Sequence, residues 1–240
     1  MLSEWTAECA HDAPTLIVPW SDPKHPGQPG AQFVDLRANP YDIADIPEAE
    51  HNPTLARALR SLNATRSPFL TAKCDAWPLD ATPGVTKPLD ADATEDEDGA
   101  DTLERLRLEL MIHEEDALHG FASYIDLLWR ERSVFASAHQ QQDRLDRIVR
   151  RAQRLQHPEA ALECVLRPAL LDLNGPLEGF SVTLYVTALG PESETARRRW
   201  ELAMDDLVTL LRSKELEPAR GSATIDSTDA YPLRVRHLGE

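Results

Sequence analysis

The alternation of apolar and polar positions changes period along the chain, and each change marks an element. "FSVTLYVTAL" (180–189) has the period of a half-buried strand. Phe180, Val182, Leu184 and Val186 share one side, and Ser181, Thr183, Tyr185 and Thr187 the other. "SPFLTAKCDAWPL" (67–79) reads the same way, with Phe69, Thr71, Lys73, Asp75 and Trp77 on one face and Leu70, Ala72, Cys74 and Ala76 on the other. "GFASYIDLLWRE" (120–131) predicts a third strand that aligns Phe121, Ile125, Leu127 and Trp129. "ALECVLRPALLDL" (161–173) predicts a fourth, in which Pro168 points to an edge position or a bulge. Shorter β-like runs are "TLIVPW" (15–20), "QFVDL" (32–36) and "YPLRVRHL" (231–238).

Helical spacing takes over elsewhere. "TLARALRSL" (54–62) is a short helix after a proline. Leu103, Leu106, Leu110 and Ala117 form one stripe across 101–118. From Ser133 to about Gln156, Phe135, Ala138, Leu145, Ile148, Ala152 and Leu155 form another, with Pro158 just beyond. Over 194–214 the stripe is Ala196, Trp200, Ala203, Leu207 and Leu210.

The fold class expected is α+β: an antiparallel or mixed sheet with helices on one face. From residue 120 the order is strand, helix, strand, strand, helix, strand, a ferredoxin-like arrangement. "QFVDL", "TLARALRSL" and "PFLTAKCDAWPL" repeat strand, helix, strand, so the first half reads as a degenerate duplicate of the same plan. Residues 1–80 form an N-terminal α+β region and 102–240 the ferredoxin-like region. Between them, 81–101 is an acidic, proline-containing loop or linker. The flanking regions are compatible with one continuous domain.

Charge narrows the partners. Forty-one acidic against 25 basic residues give a formal charge of −16. That sign disfavours nonspecific binding to nucleic acid and to anionic membranes. Cys9, Cys74 and Cys164 are too few and too scattered for a disulfide framework, which fits a reducing, cytoplasmic compartment. The N-terminus lacks the apolar core of a signal peptide, and no apolar run is long enough to span a bilayer.

The densest candidate chemistry is "MIHEEDALHGF" (111–121), which resembles a zinc-hydrolase signature at first sight. That signature needs two histidines at i and i+4 on one helical face. His113 and His119 are six residues apart, so they diverge by roughly 120° on a straight helix. The pairs with usable helical spacing are Glu115 with His119 and Asp116 with His119. Each has the spacing of a site fragment, but the favoured reading is a salt bridge closing the helix before Gly120, since two ligands make no site without a third. The acidic run around Gly99 fails as a calcium loop, because Thr94 and Arg105 fall where Asp and Glu are required. "ECAHD" (8–12) lacks zinc spacing and reads as a flexible terminus. Nucleophile-elbow, P-loop and dinucleotide-binding motifs are all missing. No metal or cofactor is expected from these patterns.

A second candidate lies on the strands. Lys73 and Asp75 share a strand with Trp77, and Tyr124 and Asp126 share the next. If the faces meet, they line a pocket with acid, base and aromatic walls. The site residues singled out are therefore Glu115, His119, Lys73, Asp75, Tyr124 and Asp126. With no complete catalytic constellation, the leading expectation is a non-catalytic binding or assembly protein. It would use a sheet face or edge for a protein partner or for self-association. The alternatives are a small-molecule enzyme with its pocket on the sheet, and an acidic decoy for a basic protein.

Overall fold

The computed structural model describes residues 1–10, 13–79, 119–216 and 223–225. In chain order the strands are β1 (Leu2–Ala7), β2 (Leu16–Val18), β3 (Phe69–Leu79), β4 (His119–Trp129), β5 (Ala160–Leu171) and β6 (Leu177–Gly190). The α-helices are α1 (Pro47–His51), α2 (Pro53–Leu62), α3 (Arg132–Phe135), α4 (Ala138–Ala152) and α5 (Ser193–Leu211), with a 3-10 helix over Pro40–Asp45. The helix expected over 101–118 and the strand expected over 231–238 lie outside the described residues, as does the 81–101 segment.

All six strands join one mixed sheet in the order β1-β5-β6-β4-β3, with β2 following β1 along the same edge of β5. The pairs β3–β4, β4–β6 and β5–β6 are antiparallel, and β1 and β2 run parallel to β5. Strands from both sides of the 81–101 segment therefore share a sheet. Among the described residues the first half forms no duplicate sheet of its own.

The alternation in β6 holds throughout. Val182, Leu184 and Val186 lie opposite Leu127, Ile125 and Ser123 of β4, and all three are buried. On this face Trp200 of α5 is fully buried and packs on Phe121, with ring centroids 4.9 Å apart. Its indole N–H donates to Ser123 Oγ at 2.9 Å, so the one polar atom of a large core residue is satisfied. α4 lies against β1 and β5 on the same face, and α2 against β3 and α5.

Pro168 sits where its chemistry permits. The Glu8 N–H donates to the Leu166 carbonyl, and the Asp172 N–H donates to Val18. Backbone groups of Leu166 and Pro168 face the same edge, since they are two residues apart. The missing N–H of Pro168 therefore falls in the gap between the end of β1 at Ala7, opposite Leu166, and the start of β2 at Leu16, opposite Ala169.

Several expectations need correction. "QFVDL" is not a strand; only Gln32 forms a bridge, to Ser21. The Asp35 carboxylate accepts from the N–H groups of Arg37 and Ala38, and this local turn outcompetes extension. The helix read from Ser133 to Gln156 is two helices. Ser137 caps the second by accepting from the Gln140 N–H at 3.3 Å. β1, over Leu2–Ala7, is a strand that the sequence pattern does not predict. On its helix side Ser3 Oγ donates to the Val149 carbonyl, and the Trp5 indole N–H donates to Asp146.

Candidate functional site

The face assignment of β3 is also corrected, and the correction makes the site. Thr71 lies opposite Leu127, and Cys74 lies opposite Ile125. Two residues, Ala72 and Lys73, therefore stand against the single Asp126, which is a β-bulge. Opposite residues share a face, so Phe69 and Thr71 point to the helix side. Past the bulge, Asp75 and Trp77 join Tyr124 and Ala122 on the other side. The five residues expected on one face are split by this change of phase.

The bulge opens a cleft of about 190 Å³ lined by Lys73, Asp75 and Tyr124, with Trp20, Glu48 and Cys74 among the other walls. Trp20 straps the sheet. Val18, two residues earlier, is paired with β5 at one edge, while the Trp20 indole N–H donates to the Ala72 carbonyl of β3 at 2.9 Å. The Lys73 ammonium lies 5.2 Å from the Trp20 ring centroid, a cation–π contact. Asn63, which closes α2, accepts from the Thr71 N–H at 3.1 Å and donates to Thr71 Oγ1 at 2.7 Å. Two backbone groups on the outer side of β3 are thus held by side chains where the bulge disturbs the ladder.

Gly30 brings the opposing loop close. Its φ of +80° is a left-handed value, and a Cβ there would lie 2.6 Å from Pro47 Cδ. Pro47 starts α1, whose next residue is Glu48. Burial pushes the Glu48 carboxyl above its ordinary pKa, and Asp75 adds to the rise against opposing contributions from its own N–H and from His51. Burial likewise raises the Cys74 thiol, with Glu48, Asp75 and Asp126 contributing in the same direction.

Asp126 is buried and accepts from Thr183 Oγ1 at 2.6 Å. Thr183 and Thr187 on this face are also buried, so the middle of the polar face is not a wetted surface. Trp77, Tyr124 and Tyr185 make a row of aromatic contacts across it, with centroids 6.1 and 6.2 Å apart.

Of the six residues singled out, Lys73, Asp75 and Tyr124 meet in the cleft, and Asp126 neighbours it. His119 does not. It is the first residue of β4, opposite Gly190, and five positions from Tyr124, which is about 17 Å along a strand. Odd-numbered residues of β4 face the helices, so His119 points away from Tyr124 and Asp126. Glu115 lies outside the described residues, as do His113 and Asp116. Because His119 begins a strand, the helix-closing role expected of it is corrected as well. Cys9 is exposed, while His11 and Asp12 lie outside the described residues.

Sequence reasoning missed Trp20, Glu48 and Gly30. Only a tryptophan following "LIVP" and a glycine-proline loop hinted at them. Among the described residues, no three His, Cys, Asp or Glu side chains gather to hold a metal ion, and no helix is long and apolar enough to cross a membrane. No family model, no curated protein and no solved structure matches the chain.

Proposed function

We propose that the protein binds a small polar molecule in the cleft at the β3 bulge, as a non-catalytic binding protein acting at the edge of its sheet. The observation that carries this reading is the convergence of Lys73, Asp75 and Tyr124 with Glu48 around one concave site. Strand addition by a protein partner is less well supported at this edge, because Asn63 and Trp20 already engage backbone groups of Thr71 and Ala72. The large apolar side chains exposed among the described residues are Ile17, Tyr41 and Leu202, which are scattered in sequence. In the same reading the setting is cytoplasmic. The second half is read as ferredoxin-like on the strength of β6 lying between β4 and β5.

The test is a thermal-shift screen of small charged and polar metabolite-like compounds on the wild type and on a Lys73→Met/Asp75→Asn double variant. The expected result is a compound that raises the melting temperature of the wild type and leaves the variant unmoved. Equal stabilisation of both proteins, or of neither by any compound, overturns the reading.

A second reading is enzymatic use of the same cleft, and Glu48 favours it. A partly buried carboxyl with a raised pKa beside a second carboxylate is suited to donating a proton. Mass spectrometry of a bound compound after incubation separates the two: unchanged compound supports binding alone, and a product supports catalysis.

A further inference from the structure

The cleft contains charges of both signs that do not neutralise each other. The Lys73 ammonium rests on Trp20, and among the described residues it forms no ion pair with Glu48 or Asp75. Asp75 accepts from the Ala76 N–H next to it, which leaves lone pairs on both of its oxygens. Burial is the main cause of the upward shift at Glu48, and the neighbouring Asp75 carboxylate adds to it. Opposite charges in one small cleft would ordinarily collapse into a salt bridge if the backbone allowed it. Here the bulge fixes Lys73 toward Trp20, while Gly30 and Pro47 set Glu48 in the opposing wall.

From this geometry we infer that the ligand is a zwitterion of amino-acid size, a claim that rests on the small-molecule reading above. Its anionic group pairs with Lys73 and its ammonium group with Glu48 and Asp75. Trp20, Val34 and Ile46 supply aromatic and apolar wall for the rest of the molecule. The cleft, at about 190 Å³, falls below the roughly 300–1,000 Å³ of drug-sized sites, which favours a ligand of amino-acid size over a nucleotide. Two carboxylates to one lysine make the ammonium end the more strongly held. A purely anionic ligand meets repulsion from both.

The experiment is isothermal titration of the full chain with leucine and phenylalanine, each compared with its amide, which keeps only the cation, and its N-acetyl form, which keeps only the anion. The free amino acid is expected to bind at least tenfold more tightly than either blocked form. Lys73→Met should erase the preference over the amide, and Glu48→Gln should narrow the preference over the N-acetyl form. Circular dichroism confirms that each variant is folded. If the amide binds as tightly as the free amino acid, and Asp75→Asn abolishes that binding, the zwitterion claim fails while the cleft stands as a cation site. If none of the six compounds binds, the zwitterion claim fails. The wider screen on the Lys73→Met/Asp75→Asn variant then decides separately whether the cleft binds any small molecule.

Discussion

β6 and β3 carry the same kind of alternating sequence, yet only one of them makes a site. β6, 14 residues long, keeps unbroken register over 10 pairs with β4 and 12 with β5, and its alternation separates an apolar face packed on the helices from a polar face held by its neighbours. β3 loses its phase once, between Thr71 and Cys74. The ladder opens there, a lysine is turned out of the pleat, and a tryptophan and an asparagine from other elements fill the backbone groups the bulge disturbs. A regular strand spends its polar groups on its neighbours, whereas an irregular one has groups to direct at a cleft.

Deleting one residue from each strand is the strongest way to break this comparison. Removal of Leu184 reverses the facing of every β6 residue on one side of the cut, turning either Val186 to the polar face and Tyr185 to the helices, or Val182 to the polar face and Thr183 to the helices. The expected cost exceeds about 5 kcal/mol, the whole stability of many domains. The measurement is urea unfolding followed by tryptophan fluorescence, and the expected outcome is no cooperative transition.

Asn63→Ala tests how the bulge is held. The side chain is buried and bonds both the backbone and the hydroxyl of Thr71. Its loss leaves a buried N–H without its acceptor, a cost of about 2 kcal/mol. The midpoint of urea unfolding should fall with little change in slope.

Deletion of Lys73 sharpens the contrast with Leu184. Removing one of the two bulged residues restores one-to-one pairing, so Thr71 and Cys74 keep their helix-side facing and Asp75 keeps its partner Tyr124. The protein should stay folded, with a loss of about 1–2 kcal/mol from the changed Trp20 contact, and it should bind no ligand. An unfolded product would show that the bulge is a structural requirement and not a local opening.

These differences also explain what the chain revealed in advance. β6, β4 and α5 were legible because their inward residues are apolar, and burial is what periodicity reports. β1 was not, because its helix-side Ser3 and Trp5 are held by hydrogen bonds to α4. "QFVDL" misled because a single carboxylate, Asp35, decides that segment by bonding its own backbone. Asp75 and Trp77 share a face as their spacing implies, but Phe69 and Thr71 lie on the other one. A bulge adds one residue without altering the alternation on either side of it, so the sequence alone contains no mark of where the phase turns. Glu48 and Trp20 reach the cleft through a loop whose path is set by tertiary contacts such as Gly30 on Pro47.

The smallest expected effect concerns the charge that the cleft tolerates. Burial raises the pKa of Glu48 in the folded protein above its ordinary value of 4.5. Between that value and the raised one, the folded state holds more protons than the unfolded state, so stability falls as pH rises through the window. Above the window the ionised carboxylate remains a fixed cost. Glu48→Gln removes both the slope and the cost, and it should stabilise the protein at pH 7 by no more than about 0.5 kcal/mol, since the side chain is only partly buried. Thermal unfolding of wild type and variant at pH 4, 5.5 and 7 should show the two converging at the acid end. If Glu48→Gln is instead less stable at pH 7, the carboxylate has a compensating partner in the folded protein. The cleft would then be neutral by construction, as regular as β6 in spending its charges internally, and the contrast between the two strands would not extend to electrostatics.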